Sequence, residues 1–182
     1  MKFNKVFSIL ALAFTSMLFT SVGYGADGQF NVSKGRINEL HNNVVNNTPA
    51  NSGLVVMLFQ AAEADATLED YANAATLIAA PGNTEATFTG YSRKILTDAD
   101  LTATTVDNGS NIQWADLPDQ VWTNAGGSLD NTLSKFKVFY DDDVTAGTDA
   151  DLLPLTHMDF PATTNGNDLT AVVPANGYFS AN

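Results

Sequence analysis

Residues 53–61, GLVVMLFQA, constrain the fold most strongly. Leu54 to Phe59 are apolar without a break, and Asn51-Ser52-Gly53 precede them. A short apolar run bounded by turn residues reads as a buried strand. LSKFKVFYD, at 133–141, has a different signature. Phe136, Val138 and Tyr140 alternate with Lys135, Lys137 and Phe139, which is the period of a strand with two distinct faces. Further strands are expected in ATFTGYSRKILT (86–97, one long strand or a pair), NIQWADLPDQVWTNA (111–125), DLLPLTHMDF (151–160) and DLTAVVPANGYFSA (168–181). Asn108-Gly109 is a hairpin dipeptide.

Two helices are expected early in the chain. In VSKGRINELHNNVVNNTP, Ile37, Leu40 and Val44 lie on one helical face, with Ser33 as the cap and Pro49 beyond the end. His41 is assigned to the exposed side. TLEDYANAATLIAAPGN reads as one helix capped by Thr67 and stopped at Pro81-Gly82. Two helices early in the chain and about six to eight strands overall define an α+β, mainly β chain. The expected body is a single β-sandwich or β-roll-like domain over 27–182.

The first 26 residues read as a secretory signal peptide. Lys2 and Lys5 precede an uncharged run from Val6 to Val22, and Gly23, Gly25 and Ala26 offer small residues for cleavage between 23 and 26. The expectation is an exported protein, periplasmic, at the cell surface or extracellular, with no membrane segment after signal removal. Mean hydropathy of −0.04 excludes an integral membrane protein as a whole. The chain carries 20 acidic against 8 basic residues; without Lys2 and Lys5 the net charge falls from −12 to −14. Such a surface repels phosphates, which argues against nucleic-acid partners. No cysteine is present, so thiol chemistry and disulfides are excluded.

FYDDDVTAGTDADLLPLTHMDF, at 139–160, is the stretch richest in polar chemistry. Asp141, Asp143, Asp149 and Asp151 are candidate ligands for Ca2+, which takes several oxygens from a flexible loop. Adjacent aspartates on an extended chain point to opposite sides, which favours an acidic turn between two strands. His157 and Asp159 share one face of a strand, but none of the serines sits in a Gly-x-Ser-x-Gly elbow to complete a hydrolase. Arg93 and Lys94 are candidates for pairing with an acidic loop or for contacting a neighbouring subunit. Trp114 and Trp122 are candidates for an interaction surface that stacks on sugar rings, or else for core.

Several strings carry a resemblance. FNVSKGR (30–36), PANS (49–52), DATLEDY (65–71), TGYSRKILTDADL (89–101), DLPDQVW (116–122) and YDDDVTAGTDADLLPLTHMDF (140–160) occur in this order. Together they resemble a family of small structural proteins, head-associated or decoration-like, encoded among the virion genes of tailed bacteriophages. The resemblance implies a non-enzymatic structural or assembly role, with a homo-oligomer or a larger protein assembly as partner and no catalytic residues to carry over. The signal peptide departs from that pattern and points to assembly outside the inner membrane, in a surface layer, filament or virion. The alternative from another class is a calcium-dependent extracellular module, binding carbohydrate through the 141–151 loop and the tryptophans.

Overall fold

A computed structural model describes residues 28–182; the expected signal peptide lies outside the described residues. The elements in chain order are β1 (Gly28–Gln29), α1 (Ile37–Val45), β2 (Gly53–Ala61), α2 (Asp65–Leu68), α3 (Ala74–Ala79), β3 (Thr84–Glu85), β4 (Lys94–Leu96), β5 (Thr105–Asp107), β6 (Ile112–Ala115), β7 (Gln120–Ala125), β8 (Thr132–Asp141), β9 (Leu153–Thr163), β10 (Asn167–Ala171) and β11 (Phe179–Ala181). The mainly β, sandwich-like architecture matches the expectation. The described strands number eleven, more than the six to eight expected, because several are only two or three residues long.

The apolar run 53–61 is the spine of the fold. It forms β2, which pairs antiparallel with β8 from Gly53↔Asp141 to Phe59↔Lys135. β9 and then β1 extend the sheet beyond β8, while β3 and β4 pair with opposite ends of β2's other edge. This six-stranded sheet is covered on both faces, as a strand apolar on both sides requires. Leu54, Val56 and Leu58 face a core shared with α1, with Trp122 and Ala125 of β7, and with Ala115 and Phe179 of the β5–β6–β11 sheet. Val55, Met57 and Phe59 face a second core made with Phe30, Leu68, Ala74, Leu77, Phe139 and Leu152. Each fully buried side chain of this size contributes about 1.5–3 kcal/mol.

The helices differ from expectation in three ways. Residues 67–80 do not form one helix but two short ones, α2 and α3. The carbonyl of Glu69 accepts the amide of Asn31 at 2.8 Å, and Asn73 restarts the helix by accepting the amide of Thr76 on its side chain at 2.9 Å. Neither Ser33 nor Thr67 is a cap: Thr67 lies inside α2, and the buried Ser33 hydroxyl donates to the carbonyls of Phe30 and Leu155. His41 is not exposed. It completes the buried stripe Ile37, Leu40, His41 and Val44, its Nε2 lies 2.7 Å from the carbonyl of Thr102, and burial holds its pKa below the ordinary histidine value.

The segment 86–97 yields only β4, Lys94–Leu96. Between β3 and β4 the amide of Leu58 donates to the hydroxyl of Tyr91 at 3.2 Å, which fills the gap in pairing along β2. The Asn108-Gly109 hairpin is present between β5 and β6. Asn111, with φ 54°, takes the left-handed position there, and the carboxylate of Asp107 caps the amides of Gly109 and Ser110.

Candidate functional site

The acidic stretch forms a strand, a turn and a returning strand. Asp141 ends β8 and Leu153 opens β9. Its carboxylates serve the turn. Asp143 accepts the amide and hydroxyl of Thr145, and Asp151 accepts those of Thr148, and these bonds hold both carboxyls below the usual range. Asp141 is buried against Gly147 and accepts the amide of Asp143; burial pushes its pKa up. Asp149 pairs with Arg93, which holds it down. Among the described residues no three His, Cys, Asp or Glu side chains come together in a group that could hold a metal ion, so Asp141, Asp143, Asp149 and Asp151 do not converge on a calcium position.

Arg93 does meet the acidic loop, at Asp149 rather than at 141–143. Its guanidinium also makes two bonds to Glu85, both at 2.8 Å, and Glu85 accepts the hydroxyl of Tyr91. The network therefore ties the amide of Leu58, Tyr91, Glu85, Arg93 and the loop before β9 into one chain. The bonds to Glu85 and then Asp149 outweigh burial and raise the Arg93 pKa. Because the Arg93 side chain is 30% exposed, solvent screens part of this. Arg93→Ala is expected to cost about 1–3 kcal/mol in urea unfolding, with a smaller loss at high salt.

The tryptophans do not share a surface. Trp122 on β7 is buried, its Nε1 donates to the carbonyl of Ser92 at 2.8 Å, and Lys94 Nζ sits 5.2 Å from its ring centre. Trp114 is half-buried on β6, in a different sheet. Of the candidate interaction residues, Lys94 and Trp122 thus meet each other as core and cover.

The least expected constellation lies in the second core. Lys137 and His157, opposite each other on β8 and β9, are both 0% exposed. Among the described residues, neither Lys137 Nζ nor either ring nitrogen of His157 has a hydrogen-bond partner. Lys137 Nζ lies 3.7 Å from the ring centre of Phe59, and Phe30 packs edge-on against His157 at 5.5 Å. His157 Nδ1 is 3.8 Å from Asp65 and Nε2 is 3.7 Å from Glu69, each beyond hydrogen-bond reach. Asp159 does not orient His157. It pairs with Lys135 at 2.6 Å, and Lys135 also holds Asp65 at 2.8 Å.

Charge is expensive here. Burial, reinforced by the Lys135 ammonium, brings Lys137 down to about 7, against the pull of Glu63 and Asp65. The same two causes lower His157, with Asp65 and Glu69 pulling the other way. Burial also pulls Lys135 down, but its bonds to Asp159 and Asp65 outweigh that and leave its pKa raised.

Sequence reasoning placed Lys137 on the correct strand face but read no site there. The signal was the apolar partner strand: with Met57 of β2 opposite Lys137, the lysine face of β8 is covered as well. No protein-family model, curated protein or solved structure matches this chain.

Proposed function

We propose that this is a non-enzymatic structural protein that acts outside the inner membrane by self-association. The observation that carries this reading is the β7–β10 ribbon. Among the described residues it pairs with no third strand, and Val121 on β7 and Val172, just after β10, are 41% and 44% exposed. Val172 also lines a mainly apolar groove with Phe136, Met158, Asp159, Phe160, Ala171 and Val173. Exposed aliphatic side chains next to unpaired strand edges are the features through which β proteins pair with further copies. The sealing of Lys137 and His157 supports the non-enzymatic part, since groups with no exposure offer a substrate nothing to touch. The resemblance of the ordered strings at 30–36, 65–71, 89–101 and 140–160 to those of tailed-phage virion proteins supports the assembly part of this reading.

Light scattering with size-exclusion chromatography, and electron microscopy at high protein concentration, test this. The wild type is expected to form oligomers or larger assemblies. Val121→Lys with Val172→Lys is expected to shift it to monomer, with the melting temperature moved by only about 2 °C or less, as for exposed positions. A wild type that stays monomeric at high concentration would sink the proposal.

A further inference from the structure

Among the described residues, two short pieces close off the buried pair Lys137–His157. On one side lies the segment Gly28–Phe30, whose strand β1 has two residues paired with β9, Gly28 opposite His157 and Gln29 opposite Thr156. The backbone sits flush on the imidazole: a Cβ added at Gly28 would fall 2.2 Å from His157 Nε2. On the other side is α2, four residues long and without a side-chain cap. The two pieces are joined to each other by the Asn31 amide on the Glu69 carbonyl, and to the sheet by the Phe30 amide on the carbonyl of Leu155 at 3.1 Å. Water therefore reaches the imidazole only if this cap moves.

We propose that His157, with Lys137 beside it, forms a proton-operated latch: charging the imidazole loosens the cap made by Gly28–Phe30 and α2 from the face of the six-stranded sheet. Every charged group facing the pair has a place in this balance. β8 contributes Lys135 and β9 contributes Asp159, which is bound to it. The segment before α2 contributes Glu63, and α2 with its C-terminal cap contributes Asp65 and Glu69. Lys34, following β1, holds Glu69 at 3.1 Å. β2 offers only the face of Phe59. A neutral imidazole is tolerated without partners. An imidazolium is a further cation beside Lys135 and Lys137; Asp65 and Glu69, at 3.8 and 3.7 Å, attract it across ion-pair distance, but neither is close enough to accept its protons in hydrogen bonds without rearrangement.

The direction follows from linkage. A base whose pKa is lower in the closed state than in the open one is protonated preferentially when open. For His157 the closed value lies below the ordinary 6.5, so opening becomes easier as pH falls through and below 6.5. For Lys137 the closed value is about 7 and the open value the ordinary 10.5, so its contribution changes between those limits and is constant below about 7. The acid limb therefore belongs to His157 and the alkaline limb to Lys137. An opened cap uncovers Phe30 and Phe139 and lengthens the free edge of β9. Low pH thus creates a second sticky surface, apart from the β7–β10 ribbon.

Amide hydrogen exchange by NMR on the whole protein tests the latch. After correction for intrinsic rates, the opening constants of the Phe30 and Asn31 amides are expected to rise as the pH falls from 7 to 5, the direction set by a closed-state His157 value below the ordinary one. The Val138 amide in β8 is expected to stay unchanged. In His157→Gln, which carries no titrating ring, the rise is expected to disappear. Opening constants at Phe30 and Asn31 that stay flat or fall in the wild type would overturn the proposal, and so would a parallel rise at Val138. Both readouts stand without the variant. The His157 ring titrating at or above pH 6.5 in the wild type would overturn it independently.

Discussion

Lys137→Met is expected to stabilise the protein, by about 1–4 kcal/mol at neutral pH. Replacing a buried charge with an apolar side chain of similar volume commonly has that effect. The lysine is fully buried, its Nζ has no hydrogen-bond partner among the described residues, and burial has brought its pKa from 10.5 to about 7. A displacement of that size corresponds to a gross cost on the order of 5 kcal/mol. The Phe59 ring offsets part of it, about 1–2 kcal/mol for a desolvated cation–π contact. Methionine keeps the unbranched stem between Met57 and His157, so packing is largely retained. In a domain of this size each kcal/mol moves the melting temperature by about 2–4 °C. The pH dependence is the sharper reading. The unfolded chain holds the Lys137 proton up to 10.5 and the folded chain only up to about 7, so wild-type stability rises between those values. Lys137→Met is expected to remove that rise. Thermal melts at pH 7 and pH 10 for both proteins check it, and a variant that melts lower than wild type at pH 7 would show that the ammonium contributes more than it costs.

A lysine that costs stability is a local conflict between sequence and fold, and such conflicts mark positions kept for another reason. That links the stability prediction to the latch. The latch needs a titratable pair sealed in the core: burial first, then the Lys135 charge, and last Lys137 make a protonated His157 unwelcome.

The backbone of the fold was legible because β2 is an unbroken apolar run between turn residues and β8 alternates in period two. Residues 53–61 and 133–141 are strands as expected, and the stretch from Tyr140 to Phe160 is the expected strand, turn and strand. What failed was decided by contacts distant in sequence. The helix expected from Thr67 divides because Asn31, far earlier in the chain, captures the carbonyl of Glu69. His41 is a local miss. It stands four residues after Ile37 and three before Val44, a helical spacing that puts it on the buried face despite its polarity. The acidic loop drew attention for its composition, yet its aspartates are occupied with the amides of Thr145 and Thr148 and with Arg93. The buried pair escaped notice because no single segment shows it. Lys137, His157, Asp65 and Glu69 come together only when β8 pairs with β9 and α2 folds over them.

Trp122→Ala is expected to cost about 3–5 kcal/mol, the range for truncating a large buried aromatic, whereas Trp114→Ala costs about 1 kcal/mol or less. Both tryptophans began as candidates for one binding surface, and the two substitutions separate that idea from a core role. Trp122 is 1% exposed in the core between the six-stranded sheet and the β7–β10 ribbon. Its removal leaves a cavity, strips the carbonyl of Ser92 of its donor and takes the ring from beneath Lys94. β7 is fastened to β10 by Leu169↔Trp122 pairing, so the damage is expected to reach the ribbon that presents Val121 and Val172. Trp122→Ala should therefore weaken self-association as well as stability, while Trp114→Ala, at half-buried β6, should leave assembly intact. Urea midpoints and light scattering on the two variants measure both quantities. Equal and small stability losses for the pair would place Trp122 at a surface and contradict the packing described for β7.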